Sequence, residues 1–358
     1  MKVLEILSAL DGGGVAHLLY EYCKNSYKEI QYDFVVTDDA EGMLEEPLKE
    51  LGCRVYHIMQ MRKNIKNHNA ELERIILEGQ YDVVHDHSDI KSFFSLMIAK
   101  KCGVRKTIAH SHRSLFETGI KNKIIDSICR MITFKYADQL VACGRDSAIS
   151  VYGKKKYQSG KIVILPNAIN TEAYLYNESI RKDLLQKYDI ENKLVIGHVG
   201  RFVKEKNHYF ILKIFAELTK YQPNSVLFLF GDGPLIDQIR RKACEYGIED
   251  QVLFMGNRDD INLMLNMFDV FLFPSISEGF PVVLVEAQAN GVNVICSDVI
   301  TDEIKLENNL TFYSLENSEE DWANEILKLG KRRNKKPTNT IMKYDIKSNV
   351  NIIKKLYE

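Results

Sequence analysis

The chain has 358 residues, more than one hydrophobic core usually organises, so two domains of roughly 150 to 200 residues are predicted. A composition of 45% hydrophobic and 27% charged residues with seven prolines excludes a disordered or repetitive chain, and the lack of any run of about eighteen apolar residues excludes a membrane-spanning helix. The net charge of −1 hides an asymmetry, because residues 1–90 hold 9 Lys or Arg against 17 Asp or Glu while residues 91–161 hold 15 against 4. Such a local excess points to an anionic membrane surface or a phosphate-bearing substrate, or else to solvated helix faces; no nucleic-acid partner is predicted.

The opening Met1-Lys2-Val3-Leu4-Glu5-Ile6-Leu7 lacks the longer apolar stretch and cleavage site of a signal peptide. Seven scattered cysteines form no C-x-x-C pair, which suits free thiols and a cytoplasmic chain. Short apolar runs, Val3–Ser8, Tyr32–Thr37, Val55–Ile58, Tyr81–His87, Lys106–His110 and Gln139–Cys143, read as strands separated by amphipathic helical stretches. That alternation predicts an α/β architecture with a parallel sheet and crossover helices.

The first strand leads into Asp11-Gly12-Gly13-Gly14-Val15-Ala16-His17 and a helix start, which is either a phosphate cradle or a structural tight turn. The dinucleotide and P-loop fingerprints are both absent, arguing against an oxidoreductase and a P-loop nucleotide hydrolase. His85-Asp86-His87 and His110-Ser111-His112 follow predicted strands, and residues i and i+2 share a face, so four imidazoles could bind zinc. Against a metallohydrolase, no carboxylate from a third element is evident. The stretch from Lys121 to Lys135, with Lys123 and Arg130, mixes apolar and basic residues as either a membrane-surface helix or an ordinary packing helix.

The polar stretch from about Asn167 to Lys193 reads as a linker and a lead-in helix. Strands then resume at Leu194–Gly200, Val226–Phe230, Val252–Met255, Val270–Phe273 and Asn293–Ser297, giving a second doubly wound sheet. Ligands of open α/β sheets bind beyond the carboxyl ends of the strands, so two such sheets facing each other predict a site in a cleft. Arg201 and Lys206 both follow the first strand of this half and could offset a diphosphate. Asn257 follows Val252–Met255, where backbone could meet a planar base. Beside it, Asp259-Asp260 reads as a helix-capping pair rather than a metal site.

Glu278 and Glu286 flank seven residues. Between them Gly279 and Phe280 lead to Pro281, which starts a helix whose free amides can bind phosphate. Glu286 stands among apolar neighbours and therefore needs hydroxyl or cationic partners, for which ribose hydroxyls would serve. After a basic, proline-containing loop, Ile346, Val350, Ile353 and Leu356 have helical spacing and predict a helix packing back onto the first domain.

The ordered set Gly12-Gly13-Gly14, His110, Gly200-Arg201 with Lys206, Gly231-Asp232-Gly233-Pro234 and Glu278 to Glu286 resembles glycosyltransferase family 4, in particular its bacterial capsule and exopolysaccharide members. The resemblance implies a GT-B fold of two Rossmann-like domains. Residues 1–170 with the helix of about 344–358 would bind the acceptor, and residues 171–343 the nucleotide sugar. It implies retaining transfer from a nucleoside diphosphate sugar, UDP by family frequency, to a glycan or a saccharide linked to polyprenyl diphosphate, with no metal or other cofactor and at most peripheral membrane contact.

By the same resemblance Arg201 and Lys206 hold the diphosphate, Glu286 the ribose and Glu278 the sugar hydroxyls. His110 lies near the reacting sugar, and Gly13, Gly14, Asn257, Gly279, Phe280 and Pro281 line the donor. A non-catalytic scaffold and a nucleotide-sugar epimerase are the alternatives.

Overall fold

The computed structural model describes residues 1–11, 14–37, 40–112, 120–330, 338 and 340–358, the side chains of 120–124 excepted. Thirteen strands are present among them: β1 (Lys2–Leu7), β2 (Gln31–Val36), β3 (Arg54–His57), β4 (Val83–Asp86), β5 (Lys106–Ser111), β6 (Gln139–Ala142), β7 (Ile162–Ile164), β8 (Leu194–Val199), β9 (Ser225–Phe230), β10 (Val252–Gly256), β11 (Val270–Phe273), β12 (Asn293–Ser297) and β13 (Leu310–Tyr313). They form two parallel sheets, ordered β3-β2-β1-β4-β5-β6-β7 and β10-β9-β8-β11-β12-β13. Eleven of these strands fall where apolar runs predict them. The edge strands β7 and β13 fall outside those runs.

The chain divides into one unit of Met1–Ile169 with Asp345–Glu358 and a second of Asn170–Tyr344. In each, the chain order reverses beside the first strand, between β1 and β4 and between β8 and β11. The crevice beyond the carboxyl ends of such a strand pair is where open α/β sheets bind ligands.

Parallel strands covered on both faces read as continuous apolar runs, and β9, Ser225-Val226-Leu227-Phe228-Leu229-Phe230, is buried at every position. In β1 the faces alternate. Val3 and Leu7 pack with Leu18, Tyr22, Val350 and Ile353, whereas Leu4 and Ile6 pack with Leu72, Ile76 and Leu96. The helix Ile346–Tyr357 thus completes the first unit's core through the apolar positions its spacing predicts. A parallel bridge from Ile169 to Asp345 holds its start, and Arg105 donates to the carbonyls of Tyr357 and Glu358 at its end.

Candidate active site

At the second unit's reversal point, β8 ends at Val199, Gly200 follows it, and a short 3-10 turn, Lys204–Lys206, comes next. A Cβ on Gly200 would stand 2.9 Å from Nε2 of His198 and 3.2 Å from Cδ of Lys206, so glycine leaves the room in which the lysine stem lies. Lys206 Nζ donates to Glu278 Oε1 at 2.7 Å and sits 4.7 Å from the centroid of the Phe273 ring. Two further bonds tie the loop after β8 to the loop after β11: Asn207 Nδ2 donates to the Pro274 carbonyl at 3.0 Å, and the Ile276 amide to the Glu205 carbonyl at 2.8 Å. Arg201 is exposed beside this junction and forms no ion pair with a described residue. Gly231, at a φ of 124°, closes the floor, since a Cβ there would meet the Gly200 carbonyl oxygen at 2.3 Å.

Glu278 and Gly279 precede the helix Val282–Asn290, whose cap residue Pro281 makes no side-chain hydrogen bond to the first turn. Phe280 is buried and stacks on Tyr344 with centroids 5.7 Å apart. Glu286, one face further along, accepts a hydrogen bond at 2.9 Å from the hydroxyl of Tyr174, and burial pushes its carboxyl up to about 7. The hydroxyl partner expected for this carboxylate therefore exists within the protein.

Asn257 is exposed, one residue after Gly256, whose φ of 66° turns the chain away from β10. The expected capping pair beside it needs correction. Asp260 occupies the cap position of the helix Ile261–Met264 but bonds no helix amide; its carboxylate instead takes both Arg258 Nε and Nη2. The bidentate, charge-assisted pair outcompetes the cap because the guanidinium fork offers two parallel donors two residues away.

In the first unit Gly14 begins the helix Gly14–Ser26, whereas Gly12 and Gly13 lie outside the described residues. His110 is buried on β5, where it joins His85, His87 and His112 in one cluster. Here the expectation of no third-element carboxylate is overturned, because Glu5 of β1 lies among the imidazoles. His87 Nε2 donates to Glu5 Oε2 at 2.8 Å, and the Tyr357 hydroxyl donates to Glu5 Oε1 at 2.7 Å.

The nitrogens also pair with each other, His87 Nδ1 with His112 Nε2 at 2.7 Å and His85 Nε2 with His110 Nδ1 at 3.2 Å. His85, His87 and His110 offer metal-type ligand atoms within 4.8 Å of one another, wider than the ~3.4 Å between nitrogens around one tetrahedral zinc. The mutual hydrogen bonds occupy most of these nitrogens, and His110 Nε2 alone among them is buried without a partner among the described residues. Desolvation, and the other imidazoles nearby, hold His110 and His112 well below the usual histidine range.

Sequence reasoning missed Tyr174, Glu5 and Tyr357. Only Glu5 left a signal, as a carboxylate midway along the apolar strand Val3-Leu4-Glu5-Ile6-Leu7.

Two family models match the chain, Glycosyltransferase Family 4 over residues 12–173 and Glycosyl transferases group 1 over residues 180–347. A protein of Bacillus subtilis (strain 168) bearing the name glycosyltransferase EpsF is 31% identical, across 99% of this chain and 96% of its own length. The Escherichia coli UDP-Gal:alpha-D-GlcNAc-diphosphoundecaprenol alpha-1,3-galactosyltransferase is 25% identical across 80% of this chain and 76% of its own. Among solved structures, Anabaena HepE in complex with UDP and glucose superposes with a TM-score of 0.75 at 17% identity, covering 100% of this chain and 95% of that one.

Proposed function

The chain belongs to glycosyltransferase family 4 and has its GT-B fold, and on that premise we propose that this hexosyltransferase moves a sugar with retention from a UDP-sugar to a glycan or a polyprenyl-diphosphate-linked saccharide in capsular or exopolysaccharide synthesis. The observation that carries the donor half is the Lys206–Glu278 pair beside the uncapped helix Val282–Asn290. An ammonium has three donors, and Glu278 takes one, so two remain for phosphate oxygens. Arg201 adds a second cation, and the first-turn amides add aligned donors at the positive end of the helix dipole.

As the bond from the sugar to the diphosphate breaks, negative charge grows on the leaving oxygen. Groups already fixed around it stabilise that charge without reorganising. The protein's own cations thus supply what a divalent metal would, and the reaction is read as metal-independent. Glu286 receives the ribose hydroxyls, Glu278 shares its free oxygen with the sugar, and Gly279, Phe280, Pro281 and Asn257 border the nucleotide. Retention follows in this reading from a same-face substitution, in which the departing phosphate oxygen takes the acceptor's proton. The first unit, with Gly13, Gly14 and His110, selects the acceptor and meets the reacting sugar.

The UDP and glucose held by HepE support this donor, and the diphosphoundecaprenol substrate of the E. coli relative supports this acceptor. Among the described residues no helix is long and apolar enough to cross a membrane. A peripheral position on an anionic cytoplasmic membrane face is supported instead by the helix Ile120–Tyr136. It exposes Ile125, Ile128 and Met131, with Lys135 on the same helix and Lys154 and Lys155 elsewhere in this unit also exposed.

The test is to incubate purified chain with a panel of UDP-hexoses and a polyprenyl-diphosphate-linked monosaccharide, then to read the product's anomeric configuration by proton NMR. A product with the donor's configuration is expected. An inverted product overturns retention, and an altered sugar nucleotide formed without acceptor would reveal an epimerase.

A further inference from the structure

Glu5 is buried at the centre of the histidine cluster, where His87 Nε2 stands 2.8 Å and His85 Nδ1 3.4 Å from its Oε2, and against the cost of burial these two imidazoles hold its carboxyl far below the usual range. An ionised carboxylate only accepts hydrogen bonds. The Tyr357 hydroxyl, 2.7 Å from Glu5 Oε1, must therefore donate its single proton there. With that proton committed, the Tyr357 oxygen can only accept from His85 Nδ1, 2.9 Å away.

His85 is neutral, since its burial outweighs the pull of Glu5, so a proton on Nδ1 leaves Nε2 bare. The bare Nε2 accepts from His110 Nδ1 at 3.2 Å, and the two rings are parallel to within 4°. His110, neutral as well, then carries no proton on Nε2, and that buried nitrogen has no partner among the described residues.

We propose that Glu5, acting through the C-terminal Tyr357 and then His85, sets the tautomer of His110, presenting its Nε2 as a hydrogen-bond acceptor that takes a ligand hydroxyl and donates nothing. Glu5, Tyr357 and His85 are positioning residues in this scheme. The order of the bonds stands on the geometry of the first unit alone. Its use in the reaction rests on the reading above that His110 meets a sugar hydroxyl. It gives the helix Ile346–Tyr357 a role beyond core packing: its last turn delivers the hydroxyl that links a carboxylate on β1 to imidazoles on β4 and β5.

Long-range proton–nitrogen NMR of the full chain labelled with 15N-histidine tests this, with His110→Ala used to assign the His110 ring. The expected result at pH 7 is a protonated Nδ1 and an unprotonated Nε2. The opposite tautomer, or a doubly protonated ring, overturns the proposal. In Glu5→Gln the amide can donate to Tyr357 and reverse the sequence of bonds. The His110 nitrogens are then expected to move toward tautomer averaging, with kcat/KM falling about tenfold, the worth of one buried hydrogen bond. An unchanged His110 spectrum in folded Glu5→Gln protein overturns the role of Glu5. Should the tautomer be as stated while His110→Ala turns over at the wild-type rate, the contact with sugar fails and the tautomer assignment stands.

Discussion

The ammonium of Lys206 and the carboxylate of Glu278, 72 residues apart in sequence, meet at 2.7 Å where β8 and β11 end side by side. The pair is largely shielded from solvent, with 19% and 12% of the side chains exposed. One ammonium proton is committed to Glu278 and the other two are open to an anion. The carboxylate therefore aims the lysine without neutralising the site, because Arg201 nearby is unpaired among the described residues.

Lys206→Ala is expected to lower turnover by ~2 to 4 kcal/mol of transition-state stabilisation, while thermal stability changes little. Steady-state kinetics beside a melting curve separates the two effects, and wild-type kcat in the variant would exclude a part for Lys206 in leaving-group departure. If protein groups meet the charge as proposed, wild-type turnover should survive excess EDTA; loss of activity restored by a divalent cation would contradict this.

The ribose contact proposed for Glu286 predicts that binding depends on pH. Its carboxyl is raised to about 7 in the folded protein from an ordinary 4.5, so its contribution to stability falls as pH rises from 4.5 through 7. Ribose hydroxyls donating to the carboxylate favour the charged form, so nucleotide binding should release up to about half a proton at pH 7 and approach about one only a pH unit or more below it. Titration calorimetry in two buffers of different ionisation heat measures that release. In Glu286→Gln the release should vanish, affinity should drop, and the protein should gain roughly 1 to 3 kcal/mol relative to wild type above pH 7. Buffer-independent heats in the wild type would remove Glu286 from the ribose contact.

His208 is buried against Phe202, with ring centroids 4.0 Å apart, and neither of its nitrogens has a partner among the described residues. Burial, with a smaller push from Lys206, brings its pKa down to about 3. A histidine depressed in the folded state is protonated preferentially when unfolded, so its share of stability is lost as pH falls below 6.5, by roughly 2 kcal/mol at pH 5. His208→Phe keeps the stacked ring and removes the titration. The variant should match or exceed wild-type stability at pH 7 and lose less on acidification, read as the melting temperature at pH 7 and pH 5. Equal losses in the two proteins would show that His208 does not titrate as described.

On the helix Ile120–Tyr136, Ile125, Ile128 and Met131 are 56%, 49% and 66% exposed, an apolar stripe on a unit rich in lysine. Lys121 and Lys123 lie outside the described side chains. Arg130, expected on the same basic face, is instead tied to the carbonyls of Ser150 and Val151 by its guanidinium. Insertion of the stripe should therefore matter more than Arg130. Ile128→Asp with Met131→Asp is expected to abolish sedimentation with anionic liposomes and leave turnover of a water-soluble acceptor intact. Equal sedimentation of variant and wild type would leave the stripe without a membrane role.

What could be read in advance was what is local. Central strands buried on both faces announce themselves as apolar runs; at the sheet edges, where burial is partial, β3 and β10 were legible and β7 and β13 were not. The Glu278–Glu286 spacing was legible because one loop and one helix carry both residues, so eight positions of chain fix their relation. The pairing of Arg258 with Asp260 was equally local but misread, because helix caps and bidentate ion pairs compete for the same carboxylate.

By itself, the amino-acid order determined two parallel α/β sheets, the family and the residues at the strand ends. Only the tertiary structure decided how those residues are occupied: Lys206 by Glu278, Glu286 by Tyr174 from 112 residues away, and the histidines by Glu5 and a tyrosine 352 residues further along. The physical reason is that buried polar groups must find partners, and the partner is whatever the folded sheets bring within hydrogen-bond reach, irrespective of distance along the chain.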